Sequence, residues 1–198
     1  MSTVTELLKP VELDLENLLS DLRRLIGADH PILQAAAEHL FGAGGKRLRP
    51  GIVLLVSRAL SSDGSLSKRH KRLAEITEMI HTASLVHDDV VDEASTRRGV
   101  ATVHSQFDSR IAVLAGDFLF AQASWHLANL DNLDVVKLLS RVIMDLADGE
   151  VKQGLYRYDP NQSLDIYLEK SYCKTASLMA NSIQAAGVLS GEKDTNLK

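Results

Sequence analysis

Residues 73–92 read LAEITEMIHTASLVHDDVVD, and the alternation of apolar positions from Leu73 to Val86 decides the fold class. Apolar side chains recur three and four residues apart with no Pro or Gly between them, the period of an α-helix face. The helix then runs into His87-Asp88-Asp89-Val90-Val91-Asp92-Glu93. Acids are unfavourable there, because a helix C-terminus carries partial negative charge and several carboxylates raise the cost unless a cation neutralises them. At about 100° per residue, Asp88 and Asp92 lie one turn apart and about 40° apart around the axis, so both can reach one metal ion or neighbouring ions. Hard oxygen ligands at this spacing suit Mg²⁺, which keeps waters and binds through one or two carboxylates plus substrate phosphates. The alternative is a solvated acidic helix end.

Outward from this stretch the chain reads as all-α. It has only four prolines in 198 residues, and long segments rich in Leu, Ala, Glu and Lys. About eight helices are expected. The first spans about 4–26 with an interruption near Pro10, an apolar stripe of Leu13, Leu15, Leu18, Leu19, Leu22 and Leu25, and Gly27 as its end. A second follows Pro31 and stops at Gly42-Ala43-Gly44-Gly45, and a third starts after Pro50 and carries Ile52 to Leu60. Ser61 to Ser67 reads as a polar loop, and Lys68-Arg69-His70-Lys71-Arg72 as the solvated start of the helix that ends at Asp92. Later helices are expected at about 109–127, 135–155 and 164–189, the last with a break near Tyr172. No repeat or low-complexity segment interrupts a single domain over 1–198.

Composition narrows the class further. The chain carries 22 Lys+Arg against 26 Asp+Glu, a formal charge of −4, and 45% apolar residues. All of that charge falls in the first 21 residues, so the remainder is neutral and offers no general attraction to nucleic acid. One cysteine, Cys173, cannot pair within the chain, which fits a reducing compartment. The acidic N-terminus lacks the features of a secretory signal or an Arg-rich transit peptide, so the location expected is cytoplasmic, or plastid stroma after processing. Apolar runs such as Gly51 to Val56 and Ile111 to Ala115 are far shorter than the ~20 residues of a bilayer span, so no transmembrane segment is expected. Peripheral membrane contact stays open.

Two cationic clusters accompany the carboxylates. Arg97-Arg98 follows them after a turn at Glu93-Ala94-Ser95, and guanidinium forks beside metal-binding carboxylates suit a diphosphate. Gly44-Gly45-Lys46-Arg47-Leu48-Arg49-Pro50 is a Gly-rich turn leading three cations into a helix start; its glycines allow close approach to a phosphate, and Lys46 and Arg49 can face one ligand. The P-loop spacing is absent, so nucleotide hydrolysis is not indicated. Singly, each cluster also reads as surface charge or a cationic cap.

In combination these segments resemble the trans-type polyprenyl diphosphate synthases. The matching pieces are the Gly44 to Pro50 segment, the aspartate-rich motif Asp88-Asp89-Val90-Val91-Asp92, Arg97-Arg98-Gly99 after it, and Lys174-Thr175. Terpene cyclases share the aspartate pattern but not the Gly-Gly-Lys-Arg segment. The likeness runs from about Leu25 to Leu189, and Leu114-Ala115-Gly116-Asp117-Phe118-Leu119-Phe120-Ala121-Gln122 is most similar to cyanobacterial and plastid solanesyl diphosphate synthases. It implies an isoprenoid-synthase-type antiparallel helical bundle around a central cavity and a Mg²⁺-dependent condensation of isopentenyl diphosphate with an allylic diphosphate to a long-chain product.

Carried over by position, the resemblance implies that Lys46, Arg49, His81 and Arg98 hold the diphosphate of isopentenyl diphosphate, that Asp88 and Asp92 bind Mg²⁺, and that Arg97, Lys174 and Thr175 hold the allylic diphosphate. Asp88, Asp92, Arg97 and Lys174 are thereby the candidate catalytic residues. His81, Ser84, Asp88 and Asp92 fall within a sector of about 80° on a helical wheel. On the family's logic, bulk at the fourth and fifth positions before the first Asp limits product length; Ser84 and Ala83 stand there, both small, which implies long products.

The family also has a second aspartate-rich motif on an opposing helix, and nothing here matches it; Asp145-Leu146-Ala147-Asp148 precedes Lys174-Thr175 instead of coming after it. The expectation is therefore the N-terminal part of the bundle, incomplete at its C-terminal side, with apolar faces that favour a homodimer or a heteromer with a full-length synthase. A partner-dependent, non-catalytic subunit and a plain helical interaction domain are the alternatives.

Overall fold

The computed structural model describes residues 3–26, 31, 34–36, 39, 45–156 and 159–191. Helix α1 (Thr3–Leu8) passes through a 3₁₀ turn at Lys9–Val11 into α2 (Glu12–Ile26). Pro10 sits in that turn, because its ring excludes an uninterrupted α-helix. Residues 31, 34–36 and 39 are helical; the expected helix stops at Gly27 and at Gly42-Ala43-Gly44 lie outside the described residues. Helix α3 (Leu48–Ala59) begins two residues before Pro50, which occupies the first turn where an N–H has no partner to lose. Helix α4 (Lys68–Val91) is the long helix expected from the aspartate stretch.

Beyond α4 come a hairpin of β1 (Thr96–Arg97) and β2 (Val100–Ala101), a short α5 (Val103–Gln106), α6 (Ser109–Ala128), α7 (Leu133–Leu155) and α8 (Leu164–Ser171). The break near Tyr172 is a π-helical turn, Tyr172–Ala176, that leads into α9 (Ser177–Leu189). Side-chain caps start these helices: Ser67 Oγ accepts the His70 N–H at 3.2 Å, Asp108 Oδ1 accepts that of Ile111 at 2.7 Å, and Asn132 Oδ1 accepts those of Asp134 and Val135. Each cap satisfies donors that the first turn leaves without partners.

Helix α4 is the axis of the bundle. Every residue from Leu73 to Ile80 is buried, and α2, α3, α6, α7 and α9 pack around it. A helix buried on all sides loses the one-faced pattern of a surface helix, which is why its polar residues need internal partners. Thr77 Oγ1 donates to the Leu73 carbonyl at 2.8 Å and lies within hydrogen-bond distance of Ser182 Oγ, 3.0 Å away. Ile76 and Met79 of α4 share the core with Leu22, Leu54, Leu119, Leu139 and Leu178 of the surrounding helices.

Two expectations need correction. Leu13 is 70% exposed; Leu18 and Leu22 carry the buried stripe of α2, with Leu15, Leu19 and Leu25 beside it. The basic run at the start of α4 is not merely solvated: Arg69 donates to the Leu130 carbonyl, Lys71 pairs with Asp14 at 2.6 Å, and His70 is buried with Nε2 3.3 Å from the Ala186 carbonyl. Among the described residues, α6 is long and apolar enough to cross a membrane by length and composition, a criterion that a core helix also meets. It buries Ala112, Ala115, Leu119, Ala123 and Leu127 in the core.

Glu75, 5% exposed in α4, makes stability depend on pH. Burial pushes its carboxyl from 4.5 up to about 7, against the pull of Arg72, whose Nη1 lies 2.9 Å away. A raised carboxyl pKa means that the folded chain binds this proton more tightly than the unfolded chain. The contribution is therefore full below pH 4.5 and is lost as pH rises through about 7. Chemical denaturation at pH 8 should find Glu75→Gln more stable than the parent by about 2–3 kcal/mol, with no such gain at pH 4.5.

Candidate active site

Among the openings that flank the C-terminal half of α4, two carry most of the candidate residues. The first is a cleft of about 560 Å³ among Lys46, Arg47, Arg49, Glu78, His81 and Arg98. Its shape depends on backbone that ordinary residues avoid. Gly45 has φ +154°, and a Cβ there would lie 2.5 Å from Arg98 Nη1, so glycine is what lets that guanidinium lie against the loop. Arg98 and Gly99, both at positive φ, form the two-residue turn of the hairpin, the turn whose twist matches that of the strands.

Charge in this cleft is strongly positive. Arg47 is ion-paired with Glu78, while Arg49 Nη1 donates to His81 Nε2 at 3.0 Å. Burial first, then Arg49, Arg98, Arg97 and Arg47, push the His81 imidazole down to about 3, so it is neutral at pH 7 and its Nε2 accepts. Arg49 Nε is buried without a hydrogen-bond partner. An unpartnered buried donor costs about 1–3 kcal/mol, which an anionic oxygen in the cleft would relieve. Lys46 and Arg49 from one segment, with His81 and Arg98 from two others, thus line one anion-receptive cleft.

The second opening, about 330 Å³, combines polar Ser84, Asp88, Glu150 and Lys174 with apolar Phe120, Ile143 and Leu146. Lys174 Nζ is 2.6 Å from Glu150 Oε2 and 3.9 Å from Asp88 Oδ2. Burial pushes the Asp88 carboxyl up to about 6; Lys174 opposes this, and the carboxylates of Glu150 and Asp92 add to it. Two carboxylates, Glu150 and Asp88, thus share a single ammonium with the charge of Asp92 close to Asp88, an arrangement that favours an added cation. Among the described residues no cluster of three His, Cys, Asp or Glu side chains could hold a metal ion. The fit is that of a hard divalent cation taking Asp88 and Asp92 as its protein ligands and drawing its other oxygens from substrate and water. Asp92 is exposed and closes the last turn of α4, its N–H donating to the Asp88 carbonyl at 2.8 Å.

The remaining candidates are placed less centrally. Arg97 directs Nε to both oxygens of the buried Asp89, at 2.8 and 2.9 Å, and its Nη2 to Oδ1 at 2.7 Å, which ties the hairpin to α4. Thr175 is exposed on the π turn and lines neither opening. Ser84 lines the cavity, whereas Ala83 is fully buried in the core.

Sequence reasoning assigned no role to Asp89, Glu78, Phe120 or Glu150. For Glu150 a signal was present: Ile143, Leu146 and Glu150 share one helical face of α7, so a lone acid interrupts an apolar stripe.

One close packing supports this wall. A Cβ at Gly116 would lie 2.2 Å from His87 Nε2, and that nitrogen sits 3.1 Å from the Val113 carbonyl while the ring tilts over Phe120 at 5.7 Å. Gly116→Val should cost about 2 kcal/mol or more in denaturant titration, since overpacking against His87 outweighs the few tenths of a kcal/mol by which valine's helix propensity exceeds glycine's.

Comparison with known proteins agrees with this geometry. The polyprenyl synthetase profile matches residues 30–198. The chain is 69% identical over 190 residues to a prenyl transferase of Synechocystis sp., covering 96% of this chain and 59% of that protein. It is 55% identical to the chloroplastic solanesyl-diphosphate synthase 2 of Oryza sativa subsp. japonica, covering 98% of this chain and 49% of that one. A crystal structure of a Caulobacter crescentus polyprenyl synthase, complexed with calcium and isoprenyl diphosphate, superposes with a TM-score of 0.90 at 35% identity, over 98% of this chain and 58% of that one. The chain therefore spans roughly half to three fifths of these relatives' length. With the helical bundle, the cationic cleft and the matched residues in agreement, the chain belongs to the polyprenyl synthetase family.

Proposed function

We propose that the chain condenses isopentenyl diphosphate with an allylic diphosphate to build a long-chain polyprenyl diphosphate. The observation that carries this reading is the two-sided character of α4: His81 faces a cation-lined cleft, while Asp88 and Ser84 face a cavity backed by Phe120, Ile143 and Leu146. Lys46, Arg49, His81 and Arg98 hold one diphosphate, and Lys174 with Arg97 orients the other. Neutral His81 contributes as a hydrogen-bonding group, and the guanidinium and ammonium groups carry the countercharge. The hydrocarbon tail of the allylic substrate lies along the apolar wall.

Charge dictates the chemistry. The allylic C–O bond breaks with its electron pair leaving on the diphosphate, whose growing negative charge Lys174 and Arg97 stabilise. The alkene of isopentenyl diphosphate attacks the allylic carbon, and the proton lost from the adjacent carbon goes to the released diphosphate. Asp88 and Asp92 would hold Mg²⁺, which supplies further neutralisation of the leaving group.

A second reading has its own observation. Met144, Val151 and Leu155 are 62%, 60% and 72% exposed along one side of α7, and Ala147 and Val151 also line the cavity. With the chain spanning 59% of the Synechocystis relative, further polypeptide covering that side, from a second copy or a longer synthase, makes this a partner-dependent subunit. A cytoplasmic or stromal location accords with either reading.

Incubation with Mg²⁺, radiolabelled isopentenyl diphosphate and farnesyl or geranylgeranyl diphosphate tests both. Long labelled products from the chain alone support the first reading, whereas products only after addition of a full-length synthase, above that synthase's own rate, support the second. No effect in either arm overturns the proposal.

A further inference from the structure

Asp145, singled out in the sequence as part of an acidic pair with no assigned role, is 5% exposed and points away from metal chemistry. Its Oδ2 accepts from Ser177 Oγ at 2.5 Å, and its Oδ1 accepts from Arg141 Nε at 2.8 Å. Ser177, fully buried, is the residue that closes the π turn: its N–H donates to the Tyr172 carbonyl five residues back. The Ser177 carbonyl in turn accepts from Asn181 Nδ2 at 2.9 Å. One turn along α7 from Asp145, Gly149 is buried against the same segment, and a Cβ there would lie 2.8 Å from the Lys174 backbone nitrogen and 3.1 Å from Lys174 Cα. Residue 149 must therefore be glycine for the π turn to sit this close to α7.

A π turn inserts one residue into a helix, and removing that residue rotates the helix before the turn by about 100° relative to the helix after it. Lys174 lies inside this insertion, with its ammonium between Glu150 and Asp88. We propose that Asp145, Ser177 and Gly149 are positioning residues that lock the π turn against α7 and so aim Lys174 into the site. This rests on the diphosphate-holding role proposed for Lys174. None of the three touches substrate; each acts through the backbone of 172–177. The energetic logic is that a buried carboxylate persists only where its hydrogen bonds are satisfied, and here both oxygens have a partner.

The test pairs a binding measurement with a structural one. Calorimetric titration with Mg²⁺ and inorganic diphosphate should show Ser177→Ala weakened about tenfold, the affinity equivalent of one charge-assisted hydrogen bond. Ser177→Thr, which keeps the hydroxyl, should restore binding. In a Lys174→Ala background, Ser177→Ala should cause no further loss, because the lysine it positions is gone. Equal losses in both backgrounds overturn the inference, as does unchanged affinity in Ser177→Ala. Amide hydrogen exchange on the same variants separates this failure from failure of the proposed function. If the parent chain binds no diphosphate, the functional reading falls. Faster exchange at 173–177 in Asp145→Asn and Ser177→Ala, with α4 unchanged, still supports the lock, and unchanged exchange there removes it. Gly149→Ala should give the same local pattern without touching any hydrogen-bonding side chain.

Discussion

Asp88→Ala should lower prenyl transfer by about 10²–10³-fold, the scale set by losing one preorganised electrostatic contact to a transition state. The same change should leave the melting temperature unchanged or raised. Asp88 is held in a partly buried place beside Glu150 and Asp92, and burial with these neighbours raises its pKa to about 6. An ionised group kept where its charge is disfavoured costs stability, so its removal relieves the fold while disabling the site. Product counting by thin-layer chromatography and a thermal melt of the same sample check the two halves. A loss of activity accompanied by a large drop in melting temperature would mean that Asp88 acts as a structural residue.

Ser84→Phe is expected to shift products toward shorter chains, because Ser84 lines the 330 Å³ cavity on the face of α4 that also carries Asp88. An aromatic ring there occupies space that the growing chain would use, and the fold is free to keep its packing because the ring projects into an opening. Ala83→Phe separates the two positions named by the family's logic. Ala83 is fully buried among core side chains, so phenylalanine there overpacks the interior and should cost about 1–3 kcal/mol. Chromatographic product ladders that shorten in Ser84→Phe, together with denaturation midpoints that fall in Ala83→Phe, check the assignment. An unchanged ladder in Ser84→Phe refutes it.

Much of the fold was legible because its signals are local. Pro10, Ser67, Asp108 and Asn132 act within a turn of their own positions, and the helices they bound were expected to within a few residues. The break near Tyr172 was legible as an interruption, but its π geometry was not, since that depends on Gly149 of another helix. The hairpin was missed because its strands are only two residues each and its turn carries Arg98 where Asn or Gly is usual.

The candidate site divides in the same way. That Lys46, Arg49, His81 and Arg98 gather around one ligand was implied by resemblance, whereas the hydrogen bond between Arg49 and His81 was not, and Glu78, Asp89 and Glu150 carried no assigned role. Each of these three acids is defined by a cation elsewhere in the chain, and no local pattern announces that partner.

By itself the sequence determined a predominantly helical chain, a central helix ending in carboxylates, and two cationic segments that mark its family. These arise from periodicity, caps and turn residues, whose energies are settled within one or two turns of chain. Only the tertiary structure decided that Arg97 belongs to Asp89 and Lys174 to Glu150 and Asp88, that Ser84 meets the cavity while its neighbour Ala83 meets the core, and that Asp145 supports a π turn. A helix fixes the direction in which a side chain leaves its axis, but burial and electrostatic pairing depend on what the other helices bring to that face.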